Sequence, residues 1–273
     1  MIFVDTKKIE FGEFPNKESY LNFNTFSFGP KSLVTLKFES DQDLFNLYIL
    51  KKYMDETFKN NNFELQVLYF PYSRMDRRNQ FYTFNLKYVA QLINDMKFSK
   101  VIVYDAHSDV SLALIDNCVS SGNISTLFSL FQNEHGMNNT FIFYPDSGAQ
   151  KRYEKSFAYP TLVGIKSRDF ESGAIDSYQI LGGFKSDSDV VMIDDLCSKG
   201  GTFIGAAKEL KKIGAKDIYL IVGHCENNIE NGEIFKTDLI KTVYTTDSIY
   251  SGGNACPEKL KILNLMSVCR EDA

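Results

Sequence analysis

The chain reads as an α/β protein of two domains, each a mainly parallel sheet flanked by helices, and three observations predict it. Apolar, β-branched runs alternate with stretches of helical spacing along most of the sequence, the pattern of βαβ units. The 273 residues exceed what one ordinary core organises and suit two modest domains or one large one, of which two are expected. A polar, glycine-containing segment, Gln132 to Asn139, separates two such stretches and predicts domains of residues 1–134 and 135–273, with the extreme C-terminus able to pack on the first.

Taken in order, Leu44 to Phe58 has helical spacing, and Leu65 to Phe70 reads as a buried strand. Asn85 to Met96 is a helix and Val101 to Tyr104 the next strand. In the second half, Thr140 to Tyr144, Thr161 to Ile165 and Asp189 to Ile193 read as strands, Thr202 to Ile213 as a helix and Asp217 to Val222 as a further strand.

Composition narrows the function classes. With 44% hydrophobic and 24% charged residues of mixed sign, the chain has the make-up of a soluble globular protein, and no segment approaches a membrane span. The start, Met1 to Asp5, lacks the basic region and apolar stretch of a secretion signal, which predicts a cytoplasmic protein. A net charge of -5 argues against coating nucleic acid but leaves room for a local basic pocket that holds a small polyanion. The five cysteines, Cys118, Cys197, Cys225, Cys256 and Cys269, have no zinc or redox spacing and are expected as free thiols. His107, His135 and His224 are scattered, so only folding can gather histidine ligands.

The most informative run is Val190 to Thr202. A hydrophobic strand delivers Asp194 and Asp195 to its C-terminal end, where open α/β sheets bind ligands, and the turn Ser198-Lys199-Gly200-Gly201-Thr202 then opens a helix. Glycines let backbone N–H groups close on phosphate oxygens, the helix start adds positive potential, and Thr202 offers a hydroxyl. The carboxylates can accept hydrogen bonds from vicinal ribose hydroxyls. A solvated acidic turn with Thr202 capping the next helix fits the same spacing.

This run resembles the phosphoribosyl pyrophosphate (PRPP) motif shared by type I phosphoribosyltransferases and PRPP synthetases. Tyr69 to Arg78, with its Arg74-Met75-Asp76-Arg77 core, is similar to the ATP-site loop of the synthetases, which simple phosphoribosyltransferases lack. Arginine forks suit triphosphate oxygens, and Asp76 can orient them. Tyr104-Asp105-Ala106-His107-Ser108 resembles the family's strand end whose histidine contacts ATP-bound magnesium. Tyr144-Pro145-Asp146-Ser147-Gly148 resembles the diphosphate loop whose aspartate helps hold metal. Gly164 to Arg168 matches the catalytic Lys-x-Arg, here Lys166 and Arg168, which can neutralise charge on transferring phosphoryl oxygens. Gly12 to Glu18 is similar to the adenine segment, in which Phe14 stacks on the purine while Asn16 and Glu18 read its edge.

The resemblance spans about Gly12 to Ser248. It implies two type I phosphoribosyltransferase-like domains, the first carrying ATP-binding residues Phe14, Asn16, Glu18, Arg74, Met75, Asp76, Arg77 and His107. The second would carry the ribose-phosphate site, Asp194, Asp195 and Ser198 to Thr202. It further implies magnesium at His107 and Asp146, ATP as co-substrate, a ribose 5-phosphate derivative as acceptor, a homo-oligomer, and no nucleic-acid or membrane partner. The reaction would move the β,γ-diphosphoryl group of ATP to the ribose 1-hydroxyl and release AMP.

Four departures qualify the match. Ser198 and Lys199 replace an aspartate and a threonine, and the added cation suits a more anionic 5′ group such as that of ADP-ribose, which would place the reaction in NAD rather than nucleotide biosynthesis. Asn16 and Lys17 replace Asp and Gly in the adenine segment. Ser167 stands where a second arginine is common. The strand and helix expected before the adenine segment, and the usual last helix, are not evident. A phosphoribosyltransferase that consumes PRPP, or a non-catalytic partner of an active synthetase, are the alternatives.

Overall fold

The computed structural model describes residues 1–22, 28–58, 62–168, 175–253 and 258–268, and of 166–168, 175–177 and 267–268 the backbone alone. The chain divides into two compact units, Met1–Gly122 with the segment from Leu265 onward, and Asn123–Asn264.

The first unit opens with strands β1 (Ile2–Val4) and β2 (Lys7–Lys8) and the hairpin β3 (Phe11–Glu13) and β4 (Ser19–Leu21). There follow β5 (Leu33–Leu36), α1 (Asp41–Thr57), β6 (Glu64–Val67), α2 (Asn85–Asp95), β7 (Lys100–Tyr104), α3 (Asp109–Leu114) and β8 (Cys118–Ser121). Its sheet runs β2-β1-β5-β6-β7-β8, with β5 to β8 parallel and β1 antiparallel to both neighbours. The α1 start is held by Asp43, whose carboxylate accepts the Ser40 N–H at 3.0 Å. Along α1, Leu44, Leu47, Leu50 and Met54 recur every three or four residues and are buried in the core, as are Leu86, Val89, Ala90 and Ile93 of α2. The short strands β1 to β4 carry too few residues to register as periodicity. Two of them, β1 and β2, precede the adenine segment, where the sequence reading expected no strand.

The second unit contains α4 (Ile124–His135), β9 (Thr140–Tyr144), α5 (Ser147–Tyr153), β10 (Thr161–Arg168), β11 (Ile175–Leu181), β12 (Asp189–Cys197), α6 (Gly201–Lys212), β13 (Ile218–Cys225), β14 (Thr242–Thr246) and β15 (Leu260–Leu263). The helix α7 (Leu265–Val268) falls with the first unit. The sheet order is β11-β10-β9-β12-β13-β14-β15, parallel except for β11. Its central strands are buried on both faces, which is why they read as continuous apolar runs. Alternation sorts them: Phe141, Phe143, Val190 and Met192 join the cluster containing Phe203 and Leu210 of α6. Ile142, Tyr144, Val191 and Ile193 join the opposite one, with Leu127 and Phe131 of α4 and Ala149 of α5.

The division between units falls before α4, whereas the sequence placed it after residue 134. The polar stretch from Gln132 looked like a linker, but its first half is the last turn of α4. Phe131 and His135 stack against Tyr219 of β13, with ring centroids 4.9 and 4.6 Å away, and the Tyr244 hydroxyl donates to Glu134 at 2.8 Å. These contacts tie the whole helix to the second sheet. No described helix is long and apolar enough to cross a membrane.

Candidate active site

In the second unit β10 lies on one side of β9 and β12 on the other, so the chain leaves β9 in opposite directions and a crevice opens at the strands' C-terminal ends. Pro145 and Asp146 follow β9, and β12 carries Asp194 and Asp195 near its end. At Asp146 the Oδ1 atom accepts the N–H groups of Gly148 and Ala149, each at 3.1 Å, which caps α5 and fixes the carboxylate's aim. A cavity of about 660 Å³ opens beside it, lined by Asp146, Ser147, Gln150, Val163, Gly164 and Leu181 among others.

The acidic pair is not solvated. Asp195 is buried, and its N–H donates to Asp194 Oδ1 at 2.9 Å. Burial pushes the Asp194 carboxyl well above the ordinary carboxylate range, and neighbouring Asp195 raises it further. Arg152 of α5 answers this charge, with Nη1 2.6 Å from Asp195 Oδ1 and 3.9 Å from Asp194 Oδ1. Burial opposes the guanidinium's charge, yet Asp195 holds it protonated. The sequence reading missed Arg152. Its signal was a basic residue in the first helix after the Pro145-Asp146 turn, legible only once that helix is known to lie under β12.

The Tyr178 hydroxyl of β11, also missed, donates to the Pro145 carbonyl at 2.8 Å. Burial and then the charges of Asp146 and Asp194 raise its proton affinity, so it stays a neutral donor. Tyr178 pairs in register with Lys166 of β10, and the register shifts between Ser167 and Arg168. The side chains of Lys166 and Arg168 lie outside the described residues.

Downstream of the acidic pair, Gly200 takes a left-handed φ of 79° and is the N-cap of α6, which places Thr202 within the first turn. The expected alternative, a Thr202 cap, does not hold. A Cβ on Gly200 would collide with Ile234, and one on Gly232 with the Lys199 carbonyl, so the loop after β13 packs directly on this turn. Ser198 is half-buried, Lys199 and Gly201 are exposed, and Cys197 and Cys225 below them are free, buried thiols. Cys118 is free as well, whereas Cys256 and Cys269 lie outside the described residues.

In the first unit the loops after the adjacent strands β6 and β7 meet. Asp76 is buried and accepts Arg77 Nε at 2.8 Å and Nη2 at 3.2 Å. Arg77 lowers the Asp76 carboxyl most, burial opposes, and Ser108 and His107 lower it further. Asp105 holds a φ of 39°, a left-handed turn that directs Ala106 to Ser108 away from the strand. Arg74 is exposed and Met75 half-buried. Phe14, Asn16 and Glu18 occupy the exposed tip of the β3–β4 hairpin, where Phe14 lies 4.8 Å from the Tyr20 ring.

Magnesium tests against these donors. Among the described residues no three His, Cys, Asp or Glu side chains gather to hold an ion by themselves. Mg²⁺ carried on phosphate oxygens needs only one or two protein ligands, which a single side chain such as His107 in the first unit, or Asp146 in the second, is chemically able to supply without a resident protein cage.

No protein-family model matches the chain. It is 28% identical over 208 residues to the ribose-phosphate pyrophosphokinase of Porphyromonas gingivalis, across 74% of this chain and 65% of that protein. To those of a Marinomonas species and Pyrococcus furiosus it is 26% and 24% identical, over 75% and 79% of this chain and 69% and 77% of theirs. The chain thus spans just under two thirds, 65%, of the Porphyromonas protein. Its fold matches phosphoribosylpyrophosphate synthetase from Mycobacterium smegmatis with a TM-score of 0.77 at 17% identity, over 97% of this chain and 88% of that one. The chain is thus similar in sequence to the ribose-phosphate pyrophosphokinases and shares the fold of PRPP synthetase.

Proposed function

We propose that the chain transfers the β,γ-diphosphoryl group of ATP to the 1-hydroxyl of ribose 5-phosphate, releasing AMP. The observation that carries this reading is the convergence, at the β9/β12 switch point, of the capped Asp146 loop, the paired carboxylates and the glycine turn opening α6. That combination offers a diphosphate loop, acceptors for sugar hydroxyls and a cradle for the 5′-phosphate in one crevice.

On this reading the N–H groups of the Ser198–Thr202 turn and the Thr202 hydroxyl hold the 5′-phosphate. The acidic pair orients the ribose, so that its 1-hydroxyl is presented in line to the β-phosphorus. Arg74 and Arg77 bind triphosphate oxygens, Asp76 keeping the Arg77 fork in one orientation. Phe14, Asn16 and Glu18 take the adenine. Lys166 and Arg168 balance charge on the transferring group, the largest electrostatic contribution open to such a site. Magnesium, bound with ATP, would supply charge neutralisation on the phosphates, with His107 of the first unit or Asp146 of the second as a protein ligand. No side chain is required as general base. Incubation with ATP, Mg²⁺ and ribose 5-phosphate should yield AMP and a sugar 1-diphosphate; a search for AMP that finds none with any ribose phosphate sinks the proposal.

A second reading, ADP-ribose as acceptor, has one observation in its favour: Lys199 is exposed at the turn expected to hold the 5′-phosphate, where an ammonium can reach a further phosphate. Mass detection of the product from each sugar, offered at equal concentration, separates the two.

A further inference from the structure

Adjacent side chains of a strand leave it in opposite directions, so Asp194 and Asp195 need not serve one ligand in the same way. Val191 and Ile193 face the side packed by α4 and α5, and Asp195 continues their alternation toward Arg152 on α5. Val190 and Met192 face the side packed by α6, whereas the Asp194 carboxylate, next along the strand, keeps its Oδ1 3.9 Å from Arg152 Nη1, beyond hydrogen-bond distance. Exposure agrees: the Asp194 side chain is 17% exposed and that of Asp195 only 6%. The Arg152 side chain is itself largely enclosed, lying over the Tyr153 ring with 5.5 Å to its centroid. An ion pair from each member of the acidic couple runs to this one guanidinium, the shorter from Asp195.

Resting on the sugar-site reading above, we propose that Arg152 is a positioning residue that ties Asp195 down, leaving Asp194 as the carboxylate offered to the sugar diol. The paired aspartates then divide their labour. Asp195 engages Arg152 through Oδ1, and its own N–H orients the Asp194 carboxylate. Arg152 also supplies the positive charge without which two adjacent enclosed carboxylates cannot both ionise. Among the described residues the titratable groups that bear on the pair include Arg152 from α5, Asp146 from the loop after β9, Cys197 further along β12 and the neutral Tyr178 hydroxyl from β11. Removing the cation therefore makes Asp194 harder to ionise and moves the pH below which sugar binding fades upward.

Calorimetric titration of ribose 5-phosphate into the whole chain, over roughly pH 5.5 to 8.5, tests this around the carboxylate and histidine range. Asp194→Asn should weaken binding about tenfold or more, and Asp195→Asn only a few-fold. Arg152→Met should weaken it about tenfold and shift the pH profile upward, with Arg152→Lys recovering part of both. Combining Arg152→Met with Asp195→Asn should cost no more than Arg152→Met alone, because the two act through one contact. Equal losses from the two Asp→Asn variants overturn the assignment, and so does an Arg152→Met variant with unchanged affinity and pH profile. Should Arg152→Met fail to fold, the comparison of the two Asp→Asn variants decides alone. Wild-type protein that binds no ribose 5-phosphate at any pH overturns the functional reading itself, and the assignment with it.

Discussion

Gly232 and Lys199 approach so closely that a Cβ on Gly232 would overlap the Lys199 carbonyl oxygen. The loop after β13 thus supports the turn after β12 by backbone contact, with Ile234 filling the space beneath Gly200. Gly232→Ala must push the turn outward. It is expected to cost about 1–3 kcal/mol of stability, as overpacking does, and to raise the KM for ribose 5-phosphate more than that for ATP. Urea unfolding and steady-state kinetics check the two effects; equal changes in both KM values would remove the link to the sugar turn.

Asp76 yields a pH prediction. Its carboxyl is lowered in the folded chain, first by Arg77, so the stability it contributes is fully present above the unfolded carboxylate value of about 4 and is lost as pH falls through the lowered one. Asp76→Asn should destabilise the protein by roughly 1 kcal/mol at neutral pH and progressively less in acid. Denaturant midpoints of the two proteins measured from pH 7 downward should converge, and a constant gap would contradict the assignment.

Tyr178→Phe removes the hydroxyl donated to the Pro145 carbonyl while keeping the ring. The stability loss should be small, about 1 kcal/mol. Turnover is expected to fall several-fold, because Tyr178 ties the strand beside Lys166 to the loop bearing Asp146. Turnover equal to wild type would show that this tie does not serve the reaction.

Lys166→Ala should abolish AMP release from ATP and ribose 5-phosphate while leaving calorimetric binding of the sugar nearly unchanged. A lysine that stabilises only the transferring group matters in the transition state and little in the ground state. Retained turnover would take Lys166 out of the mechanism.

At the turn, Ser198→Asp with Lys199→Thr should raise the ratio of kcat/KM for ribose 5-phosphate to that for ADP-ribose if Lys199 contacts a second phosphate. The ratio is the measurement, and an unchanged ratio removes Lys199 from acceptor choice.

The amino-acid order by itself determined the α/β class, the parallel strands β6, β7, β9, β10, β12 and β13, and the ordered motifs from Gly12 to Thr202. Periodicity and turn chemistry are local, and β9 and β12 announce themselves as apolar runs because both faces of each are covered. It did not reveal β1 to β4, too short for a period, nor that the polar stretch from Gln132 begins as the end of α4, which only Tyr219 and Tyr244 draw to the second sheet. Sequence also set Asp194 and Asp195 side by side as equals. Tertiary structure separated them, because strand alternation turns one toward α5, where Arg152 waits six residues after Asp146 in the chain but 2.6 Å from Asp195 in space. A charge pair between a helix and a neighbouring strand depends on how the two pack, and no local spacing in either encodes it.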